Sequence, residues 1–135
     1  MLQRIQSIWL FLAALCAFAS LKLPIYTGTD TALQNIRVEG TITVPIMMAT
    51  IAIGVIALIN IFLYSNRMLQ FRLCLLGILL EAGLLFMYIK YINQMADGTY
   101  ALTSILQAGV LFFLFAAVKG VRKDEKLIKE SNRLR

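Results

Sequence analysis

Four stretches of mostly uncharged residues, each about 20 long, fill most of a 135-residue chain, and a basic tail follows the last of them. A helix rising ~1.5 Å per residue needs about 20 apolar residues to cross a hydrocarbon layer of ~30 Å. The pattern predicts an all-α integral membrane protein: four transmembrane helices in an antiparallel up-down bundle, with a basic C-terminal helix. Spans are expected over about residues 5–23, 43–64, 73–92 and 100–118, so that 1–118 is the transmembrane domain and 119–135 a basic cytoplasmic tail.

Composition agrees with lipid as the solvent. Hydrophobic residues make up 60% of the chain and charged ones 15%, with a mean hydropathy of +0.79. An ordinary soluble domain is about 45–50% apolar and about 25% charged. The longest connection, from about Pro24 to Thr43, has 20 residues, which leaves no room for a soluble catalytic domain.

Local signals mark the span ends. Pro24 stops the first span, because proline has no N–H to continue the helical ladder. Thr43 is a candidate N-cap of the second, with Pro45 in the first turn, where a missing N–H costs nothing. Asp97-Gly98 is a turn pair in the short link between the third and fourth. Trp9, Tyr26, Tyr64, Tyr88, Tyr91 and Tyr100 fall close to span ends, the depth at which an apolar ring with a polar tip is most at ease. The segment 24–43 is expected to be an irregular loop, with a short hairpin over its weakly alternating second half as the alternative. Cys16 and Cys74 lie at different depths and are expected to be free thiols.

Orientation rests on charge. Between Lys119 and Arg135 there are seven basic residues and three acidic ones, while the preceding 118 residues carry six and four. With four spans both termini share a side, which then holds ten basic residues, against Lys22, Arg37 and Lys90 on the other. The positive-inside rule places both ends in the cytoplasm. Without the tail the count is three against three, so the tail decides. A competing parse takes Arg4, the apolar run and Ala17-Phe18-Ala19 as a cleaved secretory signal, but that run exceeds the usual ~7–15 residues.

Glu81 is the single residue that says most about chemistry, because it lies near the centre of the third span. A lone charged carboxylate there costs several kcal/mol. Eleven Leu, Ile or Phe residues between Leu73 and Ile92 offset it, at about 0.3–0.6 kcal/mol each against about 3 for a central acid. The helix inserts, with Glu81 turned toward protein. Helical spacing supplies the face: Cys74, Gly77, Glu81, Leu84 and Tyr88 form one stripe, and Thr50, Gly54, Ala57, Asn60 and Tyr64 form its counterpart on the second span. Thr103, Ser104 and Gln107 on the fourth and Ala13, Ala17 and Ser20 on the first complete the set. Gln107 is the expected partner of Glu81, with Asn60 second. The simpler reading is a protonated Glu81 in an interhelical hydrogen bond; the functional one is a proton or cation relay, or a contact with a larger complex.

Absences narrow the function further. The chain has no histidine, no paired-cysteine metal spacing, no Walker loop and no GxGxxG. No cofactor, no metal and no small-molecule substrate is expected, and the protein is expected not to be an enzyme. The tail, a solvated topology signal in its simplest reading, has the charge to meet anionic lipid, or RNA and the ribosome through their phosphates.

The two ends carry a resemblance. Met1-Leu-Gln-Arg-Ile-Gln-Ser7 and Arg122-Lys-Asp-Glu-Lys-Leu-Ile-Lys-Glu-Ser-Asn-Arg-Leu-Arg135 resemble a family of small four-span inner-membrane proteins of Bacteroidota, a domain of unknown function. Members often carry Asp where this chain has Asn132, so a charge at that position is not expected to matter here. The resemblance implies an uncleaved first helix in the inner membrane and no particular activity. It also implies a cytoplasmic docking patch: Gln3, Arg4, Gln6, Arg122, Lys123, Asp124, Glu125, Lys126, Arg133 and Arg135. The leading expectation is a non-enzymatic accessory subunit that docks other membrane-protein subunits, secretion or insertion machinery first among them. The alternative is a small oligomeric transporter or proton-linked channel using Glu81 and Gln107.

Overall fold

The computed structural model describes the backbone of residues 2–63 and 65–134, and the side chains of residues 5–63 and 65–134. Helices α1 (Leu2–Ala19), α2 (Val44–Phe62), α3 (Arg67–Ile92) and α4 (Ile105–Arg133) make up most of it. Short strands β1 (Tyr26–Thr29) and β2 (Asn35–Val38) join α1 to α2, and β3 (Asp97–Tyr100) joins α3 to α4. Three of the helical segments, Val44–Phe62, Arg67–Ile92 and Leu102–Arg133, are long and apolar enough to cross a membrane, and Ile5–Ala19 is a shorter apolar helix.

Each helix packs against its neighbours in sequence, and α1 closes the ring against α4. The interior faces carry the stripes of small and polar residues together with large apolar ones such as Ile46, Ile53 and Leu114. Thr50, Gly54, Ala57 and Asn60 are buried on α2, and Cys74, Gly77, Glu81, Leu84 and Tyr88 on α3. Leu10, Ala13, Ala14 and Ala17 are buried on α1, as is Ser20 just beyond it. Small side chains let backbones approach, so that Gly54 faces the ring of Phe18 and Gly77 faces the Leu114 methyls. The outside is apolar instead. Phe11, Leu15, Met48, Ile59, Leu79, Phe86, Phe112 and Phe115 are all exposed along the helices.

Boundaries differ from expectation where tertiary contacts intervene. Helix α1 ends at Ala19, and tight turns carry the chain on to Leu23, with the Ser20 carbonyl accepting from the Gly40 N–H at 2.9 Å. Thr43 does stand at the N-cap of α2 in an extended conformation, but its hydroxyl makes no capping bond. Helix α3 begins at Arg67 rather than near residue 73, and α4 begins at Ile105 after a 3-10 turn (Leu102–Ser104). Beyond residue 118 α4 runs unbroken through Gly120 to Arg133.

The all-α expectation needs correction, as does the irregular loop over 24–43. That loop forms a hairpin, and the link after α3 adds a third strand, giving an antiparallel sheet in the order β2-β1-β3. Tyr26 pairs with Val38 on one side and with Tyr100 on the other. Gly28 lies opposite Gly98, and the Tyr26 ring rests over both: a Cβ on either glycine would come within 2.8 Å of Tyr26 Cε1. Two glycines in register let an aromatic residue pack flat on a narrow sheet. The sheet caps one end of the helix ring, where Ile25 accepts from the Ala101 N–H at 3.0 Å and the Thr103 hydroxyl donates to the Pro24 carbonyl. The opposite end carries the α2–α3 link and the basic part of α4.

Candidate functional site

Glu81 is 1% exposed and faces the interior of the ring. One turn and then two turns farther along α3, toward the sheet, come Leu84 and Tyr88 on the same face, both buried. The antiparallel register that sets Gly77 against Leu114 brings Gln107, seven residues earlier on α4, level with Leu84. Gln107 thus enters between Glu81 and Tyr88, about one helical turn from the depth expected of it. The Tyr88 hydroxyl faces Gln107 and Thr50, with Glu81 behind. Thr50 is already engaged, donating to the Ile46 carbonyl of its own helix at 2.8 Å.

These groups share a place without satisfying one another. Glu81 Oε1, the Tyr88 hydroxyl and both amide atoms of Gln107 are buried without a hydrogen-bond partner. Gln107 therefore does not bond Glu81, although the fold brings the two to one cluster. Leaving such atoms unpaired costs about 1–3 kcal/mol each, so water, a ligand or a rotamer change is expected to meet them.

Asn60 is not the second partner of Glu81. Its Nδ2 donates to the Gln70 carbonyl at 3.2 Å and to Cys74 Sγ at 2.9 Å, while Gln70 Nε2 donates back to the Asn60 carbonyl at 3.3 Å. Asn60 clasps α2 to α3 at the end away from the sheet because α3 starts early enough to carry Gln70 onto its buried face. Gln70 could have been found by running the stripe one turn back from Cys74. Tyr88 was on the stripe expected to face protein, near a span end, and it is 2% exposed. Cys16 and Cys74 are both free, and among the described residues no cluster of metal-ligating side chains occurs.

The residues of the docking patch divide into two groups. Gln6 and Asp124 are buried against each other: Gln6 Nε2 donates to Asp124 Oδ2 at 2.5 Å, and each residue is 6% exposed. Arg67, at the start of α3, donates to the Asp124 carbonyl at 3.5 Å. Gly120 makes room for this latch, since a Cβ there would lie 2.8 Å from Gln6 Cγ. Arg122, Lys123, Lys126 and Arg133 are exposed and Glu125 is half-buried. Arg122 lies over the Phe71 ring, 4.9 Å from its centroid, and Lys129 pairs with Glu125 at 2.9 Å. The side chains of Gln3, Arg4, Tyr64 and Arg135 lie outside the described residues.

What the arrangement offers is an interior in which Glu81 is, among the described residues, the one carboxylate on the buried stripes, a latch between the two ends of the chain, and an exposed basic helix. No curated protein and no solved structure matches the chain. A family model described as a domain of unknown function (DUF4293) matches residues 2–134, and the chain therefore belongs to that family.

Proposed function

We propose that the chain crosses a cell inner membrane four times, keeps both ends in the cytoplasm, and serves as a non-enzymatic accessory subunit of a larger membrane assembly. The observation that carries this reading is the free basic helix. Past Glu125, α4 continues to Arg133 with each residue exposed, and Leu127 and Ile128 lie among the cations. A helix that leaves its own fold with charge and apolar side chains uncovered is suited to binding another surface. Membrane insertion is supported by the Leu, Ile and Phe side chains exposed along the helices and the polar ones buried between them, and the orientation by the tail's charge. Helix α1, 18 residues and ~27 Å long, reaches the needed thickness with the turns that follow it.

The partner expected is another membrane-protein complex, with secretion or insertion machinery to be tested first. Recovery of the full chain in mild detergent, followed by mass spectrometry, should give stoichiometric foreign subunits. Replacing Lys126, Lys129 and Arg133 by Gln should remove them while leaving the buried Val121 and Asp124 in place. Undiminished recovery from that variant would end the docking proposal. Co-purification of ribosomes, or of anionic lipid alone, would reassign the tail to those surfaces.

A second reading, an oligomeric proton-linked channel, rests on the unpaired Glu81 oxygen at the centre of α3. It needs a homo-oligomer and a titrating proton. Wild-type behaviour of Glu81→Gln in growth and assembly would remove it.

A further inference from the structure

A cavity of about 270 Å³ lies between α3 and α4 on the sheet side of Glu81. Its walls are mostly apolar, among them Ile25, Leu85, Ile92 and Leu111, and Ile89 and Tyr100 at its rim are exposed. Ser104 and the Tyr100 ring contribute to the lining, and so do two buried polar side chains, Tyr88 and Gln107, which are 2% and 3% exposed. The hydroxyl of the first and both amide atoms of the second have no partner in the protein. Most of the lining is hydrocarbon, yet the inner wall presents hydrogen-bonding groups that meet no partner in bonding geometry.

Size and depth restrict the occupant. The volume is below the ~300–1,000 Å³ of pockets that enclose a whole drug-sized molecule, so it suits one part of a longer amphiphile. Helix α3 has 26 residues, and ~30 Å of hydrocarbon centred on it reaches to about ten residues either side of the midpoint. Tyr88 falls just inside that limit, where acyl chains meet headgroups. Acyl carbonyls belong at this depth, and a carbonyl oxygen accepts what Tyr88 O–H and Gln107 Nε2–H both have to donate.

We infer that this cavity binds the acyl-carbonyl region of a membrane lipid, which enters sideways between α3 and α4. The Tyr88 hydroxyl and Gln107 amide hold the carbonyl, and the adjoining hydrocarbon lies against Leu85, Ile89 and Leu111. The inference rests on the membrane-spanning part of the preceding proposal and is independent of any docking partner. Two sources share the chemistry, the ester of a phospholipid and the carboxyl of a free fatty acid.

The full chain, reconstituted in phosphatidylcholine vesicles, is photolysed with either a diazirine-bearing phosphatidylcholine or a diazirine-bearing palmitate. Adducts are then mapped by mass spectrometry. Adducts concentrated on residues 85–92 and 104–111 are expected, and the probe that gives them identifies the source. Tyr88→Phe and Gln107→Leu should each lower the yield about fivefold, the weight of one neutral hydrogen bond. Ala108→Trp, at an exposed position on the cavity wall, should block entry without disturbing the ring interior. Adducts spread evenly over the outward faces with both probes, or a yield unchanged in Ala108→Trp, would overturn the inference and leave the cavity to water. Alkaline carbonate extraction of the same vesicles tests insertion separately, so release of the protein marks failure of the membrane reading instead.

Discussion

Gln6 and Asp124 stand 118 positions apart and make one buried hydrogen bond, which ties the start of α1 to α4 just where the basic extension begins. A carboxylate that accepts a hydrogen bond contributes more than a neutral pair, about 1.5–3 kcal/mol. Gln6→Ala and Asp124→Ala should therefore each destabilise the chain by that order in an SDS unfolding titration. In a double-mutant cycle the pair should be far from additive, since either change alone leaves the other group buried and unpaired. The two residues also sit inside the two segments by which the chain resembles its family. At this scale the stripes were legible: a 3.6-residue period placed Glu81, Cys74 and Gln107 inside, where they are found. Their partners were not legible. Periodicity assigns a residue to a face but says nothing about rotamers, and Asn60 turned to Gln70 and Cys74 while Gln107 met no partner at all.

Among the elements, glycine separates helix from sheet. Gly83 lies on the outward face of α3 with nothing within 4 Å of an added Cβ, so Gly83→Ala should stabilise the helix by up to about 1 kcal/mol. Gly98 is different. A Cβ there would stand 2.6 Å from Gly28 Cα and from the Thr27 carbonyl oxygen, both fixed backbone. Gly98→Ala should separate β3 from β1, seen as faster amide exchange at residues 26–29 with the helices still protected. The contrast explains why α2 and α3 were readable and the sheet was not. Each helix announces itself through local spacing, whereas β1 and β3 are four residues long, 68 positions apart at Thr29 and Asp97, and pair only because α1 and α3 deliver them to the same end. The pair Asp97-Gly98, expected to be a turn, forms the first half of β3 instead, and the chain reverses just before it, over residues 93–96; a turn-forming pair within a short link gives no sign that it will be a strand.

For the molecule as a whole, polarity is distributed unlike that of a water-soluble bundle. Buried Glu81, Gln107, Asn60, Gln70 and Thr50 lie among apolar core residues such as Leu10, Ile46, Ile53 and Leu114, while the outer faces of the helices are apolar as well, a distribution that fits apolar surroundings. If the proposed topology holds, the exposed Leu33 in the β1–β2 turn and the exposed Lys126 on the α4 extension lie on opposite sides. Leu33→Cys and Lys126→Cys should then react with a membrane-impermeant maleimide from opposite faces of oriented vesicles. The native thiols, half-buried Cys16 and buried Cys74, should stay unlabelled in both. Equal labelling from one face would remove the four-span arrangement. The amino-acid sequence by itself determined that four helices form and which of their faces turn inward, and it points to lipid as the fitting solvent. Each of these follows from hydrophobicity and a local period, properties that a segment has on its own. Only the tertiary structure decided that a sheet caps one end, that Gln6 latches to Asp124, and that Tyr88 and Gln107 open onto a cavity with their hydrogen bonds unmade. Those outcomes depend on which segments arrive side by side, and the closing of α1 against α4 decides that for both ends of the chain at once.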